Sequence, residues 1–95
     1  MIHYNLLKLK DGADAKAVFD QCREVYAQLE KELDFLHDAC VSRCVTQRDS
    51  NADIMMVMQI DSPDRLGDYL GHPMHTALAQ SLKDAVEARM SFDAE

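Results

Sequence analysis

An α+β fold in the order strand, helix, strand, strand, helix, strand is predicted by three observations. Apolar residues recur at helical spacing in two stretches and as alternating or short apolar runs in four others. The two helical stretches open on start signals, Asp14 and Ser62-Pro63-Asp64. Breaks fall at Asp11-Gly12, in the polar turn Gln47 to Asn51, and at Gly71-His72-Pro73. The chain of 95 residues, 1–95, makes one small domain.

The first strand runs from Ile2 to Leu9. Strand alternation turns His3, Asn5, Leu7 and Leu9 one way and Tyr4, Leu6, Lys8 and Lys10 the other. Asp14 caps a helix reaching about Leu33, with Val18, Cys22, Val25, Leu29 and Leu33 on its apolar stripe beside Phe19 and Tyr26. Ala39 to Thr46 reads as the second strand and Asp53 to Ile60 as the third. The run Ile54-Met55-Met56-Val57-Met58 has little alternation, which implies burial on both faces. The Ser62 start leads a helix to about Leu70, where the residue before Pro73 avoids helical angles. A further helix is expected from about Met74 to Ala88, with His75, Leu78, Ala79, Leu82 and Val86 on one stripe. A short last strand is expected at Met90 to Asp93.

That order is the ferredoxin-like βαββαβ arrangement, a four-stranded antiparallel sheet with helices on one face. Its other face would carry Met and Val side chains into water. A second copy packed sheet to sheet would cover them, so a homodimer through the open sheet face is expected. A cofactor lying on that face is the alternative, although no cofactor is expected from any motif.

The formal charge of −7 argues against nucleic acid and anionic membrane as partners. Lys8 and Lys10 are the only close basic pair without an intervening acid. The acidic surface, Asp93 included, is most simply a solubility feature. No run has the length of a membrane span, and the start Met-Ile-His-Tyr-Asn lacks the regions of a signal peptide, which points to the cytoplasm. Cys22, Cys40 and Cys44 include no C-x-x-C pair, and two strand residues four apart are too distant to bridge. They read as small buried hydrophobes in a reducing compartment.

Chemistry concentrates in Asp68-Tyr69-Leu70-Gly71-His72-Pro73-Met74-His75, which holds two of the four histidines and one of the three tyrosines. His75 falls in the first turn of a helix, where the positive dipole end favours a neutral imidazole suited to a general base. Tyr69 is placed to hydrogen-bond a carbonyl or enolate oxygen. His3 and Asn5 share a strand face and, with His72, are the candidate substrate-binding residues. A small apolar carbonyl compound fits such a lining, with proton abstraction beside the carbonyl leading to cyclisation or isomerisation. A non-catalytic reading has equal standing: His72 closes a helix, His75 bonds a backbone group, and Tyr69 is a core aromatic. A metal needs three or four convergent ligands, and His72 and His75 flank a proline break, so none is expected. Met55, Met56 and Met58 read as core fillers. Neither G-x-S-x-G nor G-x-G-x-x-G occurs.

The element order, the run Tyr69-Leu70-Gly71-His72-Pro73-Met74-His75, the opening His3…Leu7-Lys8-Leu9-Lys10 and the close Val86-Glu87-Ala88-Arg89-Met90…Phe92-Asp93 together resemble the stress-responsive dimeric α/β-barrel (Dabb) family. The resemblance covers essentially the whole chain. It implies a homodimer whose two sheets form a barrel, with a small pocket in each subunit between sheet and helices. Many members have no known activity. A plant polyketide cyclase in the family uses a pocket tyrosine and histidine in an intramolecular aldol condensation. Tyr69 and His75 match those positions, and His3 matches a further pocket histidine. Ile54 stands where that enzyme has another strand histidine, and Val25 where it has a first-helix tyrosine; Tyr26 is one residue away, on a different helix face. A ligand-binding or structural stress-response protein fits the same resemblance. Haem or quinol monooxygenases of the related barrel type share the architecture, but this chain has no tryptophan and no clear histidine-based haem site.

Overall fold

A computed structural model describes residues 1–95. Strand β1 (Ile2–Leu9) lies inside a four-stranded antiparallel sheet of order β2-β3-β1-β4. The other elements are α1 (Ala15–Glu32), β2 (Leu36–Arg43), β3 (Ile54–Ile60), a 3₁₀ turn (Pro63–Arg65), α2 (Leu66–Leu70), α3 (Pro73–Leu82) and β4 (Val86–Ala94).

The expected start signals are used. Asp14 Oδ1 accepts the Ala17 N–H at 3.1 Å, and Ser62 Oγ accepts the Asp64 N–H at 3.2 Å, each satisfying a donor that its helix leaves free. On α1 the buried residues are Val18, Cys22, Tyr26 and Leu29, spaced four, four and three apart. That stripe meets the helix-facing side of the sheet, where Leu36, Ile54, Met56, Met58 and Ile60 are almost fully buried. Burying each such side chain contributes roughly 1.5–3 kcal/mol, enough to make this layer the principal core. On β1 the alternation is as expected: His3, Asn5, Leu7 and Leu9 are buried toward the helices, while Tyr4, Leu6 and Lys8 face the other way.

Four expectations are corrected. Strand β2 begins at Leu36, not Ala39, and ends at Arg43. A bulge between His37 and Cys40, with Asp38 at φ +55°, breaks the alternation that would have marked its start. Glu30 Oε1 steadies the bulge by accepting the Ala39 N–H at 2.8 Å. Strand β3 is buried on one face only, because Met55 and Gln59 point away from the helices and are exposed. Helix α3 ends at Leu82, and Val86 to Ala88 belong to β4. The reason is pairing: β4 runs alongside β1 from Leu9↔Val86 to Ile2↔Ala94, and satisfying that strand's backbone outweighs the helical spacing of Val86. Of the three free cysteines, only Cys22 is buried; Cys40 and Cys44 are exposed, on the open sheet face and beyond the end of β2.

The sheet's second face carries Tyr4, Leu6, Met55, Val57, Met90 and Phe92 with no helix over it. Met90 and Phe92 are 69% and 64% exposed, with the Phe92 ring 6.3 Å from that of Tyr4. No helix is long and apolar enough to cross a membrane.

Candidate functional site

The helix-facing side of β1 turns polar at its N-terminal end. His3 and Asn5 are buried there, and the antiparallel register sets Asp93 opposite His3, Ser91 opposite Asn5 and Arg89 opposite Leu7. Directly opposed residues share a sheet face, so all five belong to the helix side. Helix α1 packs on β2 and meets α3. Arg89, Ser91 and Asp93 are exposed although they sit on the core side of the sheet.

Three helical elements bring side chains to this end. Tyr26 arrives from α1, Tyr69 from α2 and His75 from the first turn of α3. The hydroxyls of Tyr26 and Tyr69 are 2.6 Å apart, so one donates to the other. Tyr69 is fully buried and meets two imidazoles edge-on, with centroids 5.6 Å from His3 and 4.8 Å from His75. Burial raises both phenols, Tyr26 to about 12 and Tyr69 further still, so each is an uncharged hydrogen-bonding group at neutral pH. Neither serves as a tyrosinate base.

Both site histidines have one ring nitrogen fixed. His75 Nδ1 lies 3.0 Å from the Leu70 carbonyl oxygen, which can only accept, so Nδ1 carries the hydrogen. Nε2 then holds the free lone pair of the neutral ring. Burial is the main cause that lowers the His75 pKa; the nearby charges of Arg89 and His3 act in the same direction, and the Leu70 hydrogen bond opposes them. His3 Nδ1 donates to Asp93 Oδ1 at 2.5 Å, which orients that ring against Tyr69. Asn5 Oδ1 is buried without any donor.

His72 does not join the group. Its Nδ1 accepts the Met74 N–H at 3.1 Å, capping α3, and its Nε2 lies 3.3 Å from Glu32 Oε2. The structure thus brings together His3, Asn5, Tyr69 and His75 and sets His72 to a helix-capping task. Three participants escaped sequence reasoning. Tyr26, one residue beyond Val25, reaches the Tyr69 hydroxyl from α1. Asp93 and Arg89 are placed by the β1–β4 register. No three metal-ligating side chains converge anywhere in the chain. Five surface cavities of about 320 to 480 Å³ are lined by residues other than His3, Tyr69 and His75.

A family model described as a stress responsive A/B barrel domain matches residues 1–95. No curated protein matches the chain in sequence. Among solved structures, a dimeric protein of ferredoxin-like fold from Bacteroides fragilis is similar at 23% identity and a TM-score of 0.85, covering 99% of this chain and 93% of that one. A dimeric ferredoxin-like protein from Jannaschia is similar at 17% identity and a TM-score of 0.82, covering 99% and 96%. A hydroxynitrile lyase from Passiflora edulis is similar at 12% identity and a TM-score of 0.74, covering 99% and 92%. At these identities the likeness is one of fold.

Proposed function

The chain belongs to the stress-responsive α/β-barrel domain family, and on that premise we propose that it is a homodimer performing acid–base chemistry on a small carbonyl compound at the Tyr69–His75 cluster. One observation carries the reading: the Leu70 carbonyl holds the hydrogen on His75 Nδ1, leaving Nε2 as a base on a ring whose centroid is 4.8 Å from that of the uncharged Tyr69. Nε2 takes a proton from the carbon next to the carbonyl. The Tyr69 hydroxyl stabilises the enolate oxygen by donating a hydrogen bond, while Tyr26 donates to Tyr69 and frees its proton for that purpose. Burial disfavours the imidazolium that forms, so the proton is readily returned to the substrate. Return to a different carbon gives an isomer, and attack of the enolate on a second carbonyl of the same molecule gives a ring. A hydroxynitrile lyase of the same fold supports only the point that this architecture accommodates an enzyme.

The test is loss of deuterium from D₂O into the α-carbon of small ketones and 1,3-diketones, followed by NMR. His75→Gln keeps the fold and slows exchange by about 10²–10⁴-fold, the usual contribution of a general base. Equal exchange by the folded variant and the native protein refutes the assignment. The dimer rests on the bare apolar sheet face and is tested by sedimentation: native protein runs as a dimer and Phe92→Glu as a monomer. A monomeric native protein at micromolar concentration refutes it.

A second reading is favoured by one observation, the near-complete burial of Tyr69 and His3. In it the tyrosine and histidine cluster pins α1, α2 and α3 to the sheet, and His75→Gln lowers stability without touching any reaction.

A further inference from the structure

We propose that the ligand of this site is a keto acid, its carboxylate received by Arg89 on the uncovered helix-facing side of β4. The inference rests on the carbonyl chemistry above and adds the second functional group of the molecule. Arg89 lies opposite Leu7, one of the most deeply buried helix-facing residues, so it leaves the sheet on the same side as Tyr69 and His75. The chain has 17 acidic residues against 10 basic ones, yet no carboxylate lies within ion-pair distance of Arg89. Glu87, two residues before Arg89 and beside the β4 irregularity, makes no ion pair with it, and Asp93, four residues beyond, is already engaged by His3.

A guanidinium presents a planar fork that matches a carboxylate through two parallel hydrogen bonds. Ser91 follows two residues along the strand, on the same face, and offers a hydroxyl. Opposite Ser91, the Asn5 side chain is 8% exposed and its Oδ1 has no donor. A buried acceptor left unpaired is costly, and the hydroxyl hydrogen of an enolised ligand would satisfy it. Cation and hydroxyl thus lie on the exposed strip of β4, with the buried acceptor of Asn5 directly across from Ser91. The influence of the Arg89 charge on both Tyr26 and His75 is consistent with its place on their side of the sheet.

Matched probes separate this idea from its parent. Keto acids of four to six carbons and their methyl esters are titrated into the dimeric protein and followed by amide NMR, with α-carbon deuterium exchange measured on the same samples. The native protein should bind at least one acid about tenfold or more tighter than its ester, the scale of a charge-assisted hydrogen bond. Arg89→Gln should bring that acid down to the affinity of the ester, and Arg89→Lys should recover part of the difference. Equal binding of acid and ester, binding of neither, or an acid preference that survives in Arg89→Gln overturns the proposal. An Arg89-dependent preference without exchange upholds the anion site and removes the catalytic reading. Exchange of esters and acids alike, in native protein and Arg89→Gln, does the reverse.

Discussion

The helix-facing side of the sheet has two halves built from different materials. Over β2 and β3 it is apolar and closed, with Leu36, Ile54, Met56, Met58 and Ile60 buried in one core with the α1 stripe. Over β1 and β4 it turns polar at one end and open, with His3 and Asn5 buried and Arg89, Ser91 and Asp93 bare. The contrast is one of exposure: the helix-facing residues of β3 are sealed, while those of β4 are open to solvent. Burying polar groups is costly unless they are hydrogen-bonded, so the polar half survives only through its partners. Tyr26 with Tyr69, His75 with Leu70 and His3 with Asp93 meet that requirement. Asn5 Oδ1 is the exception, a buried acceptor without a donor.

The sharpest way to break the comparison is to truncate one residue in each half. Leu29→Ala, in the closed half, should cost about 2–5 kcal/mol in a urea titration. Ser91→Ala, in the open half, should stay within about 0.5 kcal/mol. Similar costs would mean that β4 is as deeply structural as α1. A smaller effect tests whether the polar cluster is self-consistent. Tyr26→Phe leaves the buried Tyr69 hydroxyl without its partner and should cost about 1–3 kcal/mol. Adding Tyr69→Phe removes the orphan, so the double variant should be clearly less destabilised than the sum of the singles. Strict additivity would deny the hydroxyl pair.

The smallest effect is expected in the pH dependence of stability. Burial lowers the folded pKa of His75 below its ordinary 6.5. Above 6.5 the ring is neutral in folded and unfolded chains alike, and its contribution is complete. As pH falls from 6.5 toward the lower folded value, the unfolded chain binds a proton that the folded one refuses, and stability is lost. His75→Gln should therefore show a flatter decline than native protein over that window. Parallel curves would place His75 in a wetter environment than the structure gives it.

Residues governed by local rules were readable from sequence. The β1 alternation, the Asp14 and Ser62 caps and the break before Pro73 each depend on a few neighbouring residues. The place of His75 in the first turn of a helix was also legible, but the burial that lowers its pKa was not. What was hidden depends on how elements meet. Helical spacing put Val25 on the apolar stripe of α1 with Tyr26 beside it, whereas Tyr26 is the buried residue, in line with Cys22 and Leu29. Asp93 looked like one more surface acid until register put it opposite His3. Arg89 fell between an expected helix end and an expected strand start, so it had no face at all. A one-residue slip of β4 would have turned it to the other side of the sheet.

His3 and Asp93 are joined by a hydrogen bond across 90 residues of chain. Closing so long a loop costs entropy before any contact repays it, so β4 should dock late in folding. On the ribosome the interval is longer still. At about 5–20 residues per second, the β1 edge waits roughly 5–20 seconds for β4 to be made. Throughout that interval its backbone donors and acceptors are open to any other extended chain. Intermolecular strand pairing at β1, and with it co-translational aggregation, is the hazard that this topology carries.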